Sequence, residues 1–163
     1  HGGDPSRLAV GGNSAGGNLA AAVALRAKPA TFKAALLFYG VLGNSFDTSS
    51  YLHFGDGRFG LSRDRMKMFF DIYVPKGTSA DDPAITPMNG DLARMPPAWV
   101  CAAEVDVLRD DSVQFYEKLR SLRGGDQFVL AEGLTHGFVN RVRHLPQAKA
   151  MIDSAAAFLK AKV

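Results

Sequence analysis

Cysteine is almost missing from this chain: Cys101 stands alone, so no internal disulfide can staple the fold. Its neighbours Ala98-Trp99-Val100 and Ala102-Ala103 are apolar, which predicts a buried structural thiol. A nucleophilic role for it would need a histidine alongside. Basic runs are missing too. Lys and Arg number 19 against 16 Asp and Glu, and they are scattered, so the net charge of +3 marks no phosphate-tracking surface. The densest group, Arg141, Arg143 and His144, reads as a solvated loop, and no nucleic-acid partner is expected. There is no charged-then-apolar leader and no uninterrupted apolar run of membrane length. A soluble, reducing, cytoplasmic setting is expected, with any signal peptide upstream of His1 lying outside this sequence. What is present is a hydrophobic content of 47% in 163 residues, enough for a core within one domain, residues 1–163.

The apolar segments alternate in period. Residues 7–12 are short, apolar and β-compatible, and they run into an Ala- and Leu-rich helix over residues 15–27 that Lys28-Pro29 ends. Ala34-Ala35-Leu36-Leu37-Phe38-Tyr39 is a continuous apolar run, the pattern of a strand buried on both faces of a parallel sheet. Residues 43–97 break the rhythm. Ser62 there caps a helix with Met66, Phe69, Phe70 and Tyr73 on one face, and Pro75, Pro83, Pro87, Pro96 and Pro97 punctuate the stretch after it. This reads as an excursion from the sheet. Alternation resumes with a strand at 98–103, and a helix at 111–122 that carries Phe115, Leu119 and Leu122 inward. A strand at 127–131 comes next, then a helix from Pro146 with Ala148, Met151, Ile152, Ala155 and Leu159 inward. The order predicts an α/β fold with a mostly parallel, doubly wound sheet.

In such a sheet, ligands bind beyond the carboxyl ends of the strands. Gly12-Asn13-Ser14-Ala15-Gly16-Gly17 follows the first strand and fits G-x-S-x-G, in which a serine projects from a sharp strand-to-helix turn. The glycines avoid clashes in that turn. Taken alone, an ordinary Gly-rich turn shares the pattern. Asp106 follows the third strand, and His136 follows the fourth. A serine hydroxyl needs a base to take its proton, and the imidazole needs a carboxylate to fix its tautomer. Ser14, Asp106 and His136 are the expected set. Asp110 and Asp111 read as caps of the next helix, and His1, His53 and His144 as bystanders.

Several stretches together resemble the hormone-sensitive-lipase-like esterases, a group of α/β-hydrolases. They are Asp4-Pro5-Ser6-Arg7, the elbow up to Asn18, Asp82-Pro83 to Pro87, Pro96-Pro97, Asp106-Val107-Leu108-Arg109-Asp110 and His136-Gly137-Phe138. The resemblance implies hydrolysis of small carboxylic esters through an acyl-serine, without metal or cofactor. By position, Ser14 is then the nucleophile, His136 the base and later acid, Asp106 the orienting carboxylate, and the Ala15 N–H one oxyanion donor. Asn13, Val107 and Phe138, beside those groups, are the expected pocket residues.

Two departures stand out. Asn13 replaces the family's usual acidic residue before the serine, which predicts tuning of the site. The family's His-Gly-Gly-Gly oxyanion loop lies well upstream of the serine, whereas His1-Gly2-Gly3 continues directly into the elbow strand and does not match it. The resemblance therefore places the N-terminal strands and that loop outside this sequence. An apolar edge at the first strand would then be open to another chain, a homodimer included. The alternative to an autonomous esterase is a truncated or non-catalytic hydrolase module.

Overall fold

The computed structural model describes residues 2–163. Among them, four strands form one parallel sheet in the order β1 (Ala9–Asn13), β2 (Ala34–Phe38), β3 (Ala98–Val105) and β4 (Gln127–Thr135). Between them run α1 (Ala15–Arg26), α2 (Ser49–Phe54), α3 (Arg63–Tyr73) and α4 (Arg109–Leu122), and α5 (Pro146–Lys160) closes the chain. The expected α/β architecture is present, with helices on both faces.

The period of two in β3 decides which helix meets which face. Ala98 and Val100 turn toward α1 and α4, where Ala21, Leu25, Phe115 and Leu119 are buried with them. Trp99, Cys101 and Ala103 turn the other way, against Ala148, Ala155 and Phe158 of α5. A strand so placed has no solvent face, which is why it reads as an unbroken apolar run. The excursion has its own core, built on Val41, Tyr51, Met66, Phe70, Val107 and Leu108.

Some expectations shift. Leu122, expected inward, is 57% exposed at the last residue of α4. Ile152 is only half-buried, and Phe158 makes the apolar contact its face was expected to make. The stripe on α5 is therefore rotated toward the face of β3 that bears Trp99 and Ala103. α2, six residues long, has no period long enough to read. Ser62 does cap α3, accepting from the Arg65 N–H at 3.2 Å.

The turn from β1 into α1 leaves no room for side chains at two positions. A Cβ on Gly12 would lie 2.2 Å from the Gly16 carbonyl oxygen, and one on Gly17 would lie 2.9 Å from Gly40 Cα. The backbone itself occupies that space, so no rotamer change can relieve the overlap. Gly16 differs: nothing described lies within 4 Å of an added Cβ, so the expected clash does not occur there.

Candidate active site

Sheet register brings the chemistry together. Asn13 pairs with Phe38, so Ser14 emerges beside Tyr39. β3 and β4 run further, to the pair Val105–Thr135 beyond an irregularity in the ladder. Asp106 and His136, the next residue of each strand, therefore leave the sheet side by side. His136 Nδ1 lies 2.7 Å from Asp106 Oδ2, and His136 Nε2 lies 2.9 Å from Ser14 Oγ. The second Asp106 oxygen accepts the Leu108 N–H at 3.1 Å, so both of its oxygens have partners. Asp106 is 2% exposed, which keeps water from competing for the imidazole.

Ser14 adopts φ 54° and ψ −123°, a conformation that side-chain-bearing residues rarely hold. Its carbonyl is fixed from the far side by the amides of Gly17, Asn18 and Val41. Ala15 opens α1, so its N–H belongs to the turn of donors with no carbonyl one turn back and with the positive end of the helix dipole behind it.

Tyr39 lies outside the expected site set, because it closes an apolar run and has the sequence signature of core. It holds φ 36°, is fully buried, and sits edge-on to His136 with ring centroids 5.0 Å apart and to Phe138 at 4.9 Å. Burial raises its phenol pKa above the ordinary value, so the ring supports the imidazole without adding charge. Asn18 is a second addition. Its amide nitrogen donates to the carbonyls of Val41 and Ile85, both at 2.7 Å, lashing α1 to the excursion. A polar residue on an otherwise Ala-rich buried face was the available signal.

The expected pocket residues move. A cavity of about 380 Å³ opens beside Ser14, walled by Leu19, Val41, and Met66, Phe69, Phe70 and Tyr73 of α3. Val107 and Phe138 are each 1% exposed and belong to core clusters, Val107 behind the cavity wall and Phe138 under Tyr39. Adjacency in sequence to Asp106 and His136 did not carry their side chains to the same side. Asn13 also faces elsewhere, with its Nδ2 3.5 Å from Tyr39 Oη. Most aromatics of the excursion pack among themselves, as Phe46 does against Tyr51 and Phe70. Met88, from the same excursion, is buried in the core under the sheet.

Asp110 and Asp111 are not caps, since α4 begins at Arg109 and Leu108 precedes it. Asp110 accepts the Ser50 N–H at 2.8 Å, while the Ser50 hydroxyl donates to the Val107 carbonyl at 2.6 Å, bolting α2 onto the loop behind Asp106. Asp111 is 2% exposed, and burial pushes its carboxyl up to about 7, against the downward pull of the Gly43 and Leu42 amides. The nearby Asp106 and Asp110 carboxyls add to the rise, and Tyr51 faces it from α2. Unfolded, the group titrates at ~3.9, so the folded chain holds the proton more tightly. Its contribution to stability is complete below about 4 and is lost as pH rises through about 7. Urea midpoints should therefore fall between pH 5 and pH 8, and Asp111→Asn should flatten that part of the slope.

Cys101 is buried, and burial pushes its thiol up to about 12, which leaves it inert. His53 and His144 are exposed, and His53 bonds within its own helix to Ser49, while His1 lies outside the described residues. Among the described residues no three His, Cys, Asp or Glu side chains gather as a metal site, and no helix is long and apolar enough to cross a membrane.

Residues 1–140 match the family described as the alpha/beta hydrolase fold. The chain belongs to this family. Among its relatives, the carboxylesterase NlhH of Mycobacterium tuberculosis is 34% identical over 168 residues, covering 98% of this chain and 52% of that protein. A thermostable esterase from Pseudomonas putida is 36% identical with a TM-score of 0.87, covering 96% of this chain and 51% of the solved one. A fungal esterase structure from Rhizomucor miehei gives 32% identity and a TM-score of 0.85, at 96% and 50% coverage. The chain spans about half the length of the curated relatives it matches. As an α/β-hydrolase related to carboxylesterases, it conforms to the hormone-sensitive-lipase-like resemblance read from its motifs.

Proposed function

We propose that this α/β-hydrolase is a serine carboxylic-ester hydrolase acting on small acyl esters. The observation that carries the proposal is the relay Ser14 Oγ–His136 Nε2–His136 Nδ1–Asp106 Oδ2, with links of 2.9 and 2.7 Å. In this reading the ester carbonyl sits above Ser14 with its oxygen toward the Ala15 N–H. Ser14 Oγ adds to the carbonyl carbon while its proton passes to His136 Nε2, and Asp106 stabilises the imidazolium. Collapse of the tetrahedral adduct expels the alcohol, which takes the proton from His136. A water molecule then adds to the acyl carbon as its proton passes to His136 Nε2, and collapse frees the acid while His136 returns the proton to Ser14 Oγ. Each oxyanion donor contributes about 10²–10³ in rate, and the Ala15 amide is placed to be one of them.

The apolar walls of Leu19, Val41, Phe69 and Phe70 favour an acyl chain over a charged group. With the 163-residue chain, p-nitrophenyl butyrate should be hydrolysed with a higher kcat/KM than the acetate, because each added methylene leaves water for the cavity. A gain of about fourfold per methylene corresponds to the usual transfer energy. Equal rates for the two esters, or hydrolysis that survives loss of Ser14, would count against the assignment. Binding of a phosphonate at Ser14 without any turnover would favour the module reading.

A further inference from the structure

Two buried carboxylates, Asp106 and Asp111, lie five residues apart, and only Asp106 belongs to the relay. Asp111 Oδ2 accepts the amides of Leu42 at 3.2 Å and Gly43 at 3.0 Å. β2 ends at Phe38, so these amides lie beyond the sheet and have no strand to pair with. The same short loop is tied to the elbow. The Val41 amide donates to the Ser14 carbonyl at 3.3 Å, and the Val41 carbonyl accepts from Asn18 at 2.7 Å. The Leu42 carbonyl accepts the Met88 amide at 3.0 Å, which fixes the remaining side.

We propose that Asp111 is a positioning residue: through the 41–43 loop it forms a strut between the segment bearing Asp106 and the elbow bearing Ser14. His136 bridges these two segments in front, and the strut bridges them behind. The separation of nucleophile and acid is then set by rigid backbone, leaving the imidazole to move protons without also holding the site together. The loop also carries Val41 into the wall of the cavity, so the strut sets one side of the acyl site as well. The catalytic consequence rests on the esterase reading, whereas the mechanical link does not.

The test compares Asp111→Ala, Asp111→Asn and Leu119→Ala, the last a core truncation about two turns further along α4 that leaves the Asp111 hydrogen bonds in place. Two quantities are read on each: amide hydrogen exchange, and the rate at which a fluorophosphonate labels Ser14. Removing the acceptor strands one buried and one half-buried donor, so Asp111→Ala should speed exchange at residues 41–43 by roughly ten- to hundredfold. Exchange in the elbow, residues 14–18, should rise with it. Labelling and kcat should fall by a comparable factor, about ten- to hundredfold, with KM within about twofold. Asparagine keeps a carbonyl acceptor and should restore both readouts to within about threefold. Leu119→Ala should lower the melting temperature and leave labelling at the wild-type rate. Labelling by Asp111→Ala at the wild-type rate, or equal slowing by Leu119→Ala, overturns the proposal. If the wild-type chain does not label at all, the esterase reading fails by itself. Exchange still decides the strut in that case: faster exchange confined to 41–43, with the elbow unchanged, refutes it.

Discussion

Replacing Ser14 with alanine should lower kcat for a p-nitrophenyl ester by roughly 10⁴- to 10⁶-fold, with the fold intact. The size follows from what the hydroxyl does in the proposed reaction. It is the atom that bonds to the acyl carbon, and its removal leaves only the donors and the cavity to assist attack by water. Stability gives an internal control, because Ser14 holds φ 54° whichever small side chain it bears. Alanine keeps that strain. Glycine removes the same oxygen and the strain together, worth about 1–3 kcal/mol. Ser14→Gly should therefore be as inactive as Ser14→Ala and resist urea better. Two equally stable variants would mean that the elbow is not strained, and a variant retaining a tenth of the activity would mean that Ser14 is not the nucleophile.

Asp106→Asn should cost about 10⁴ in kcat while leaving the structure nearly unchanged. The amide has two ways to sit, and the site selects one. The Leu108 N–H needs an acceptor where Asp106 Oδ1 now lies, so the new carbonyl takes that place. The amide NH₂ then faces His136 Nδ1, where the carboxylate now accepts a hydrogen bond. A donor there makes Nδ1 the acceptor and moves the ring proton to Nε2. The nitrogen facing Ser14 Oγ can no longer take its proton. Activity should recover at alkaline pH, where hydroxide removes the serine proton instead. A loss of only about tenfold at neutral pH would show that Asp106 does not set the tautomer.

How much of the site is legible before folding depends on where information sits in the chain. Ser14, Asp106 and His136 each follow a segment with an apolar run in it, and in a parallel sheet a strand end locates its next residue whatever the rest of the chain does. The sequence pattern ends β3 early because Glu104 interrupts the apolar run, yet the strand continues to Val105 and so brings Asp106 level with His136. The pocket expectation fails for a related reason. Val107 and Phe138 are neighbours of the catalytic candidates along the chain, but the backbone turns at Asp106 and Gly137 send their side chains into the core. The cavity beside Ser14 is walled in part by α3, more than forty residues after the elbow in sequence, and the face of Met66, Phe69, Phe70 and Tyr73 was legible while its target was not. Ser50 and Asp111 are opaque altogether, and Asn18 shows only that it is polar on a buried face, not what it bonds to. Each is a buried polar group satisfied by backbone far away in sequence, and no local pattern encodes such a partner.

The central claim is that Ser14 is an activated nucleophile in a relay with His136 and Asp106, and covalent capture tests it without reference to any particular ester. The 163-residue chain is treated with a fluorophosphonate near neutral pH and digested, and the adduct is located by mass spectrometry. The account predicts one adduct, on the peptide containing Ser14, forming at least about a hundredfold faster than in His136→Ala or Asp106→Asn. Labelling spread over several serines, or a Ser14 adduct forming at the same rate without His136, would contradict it.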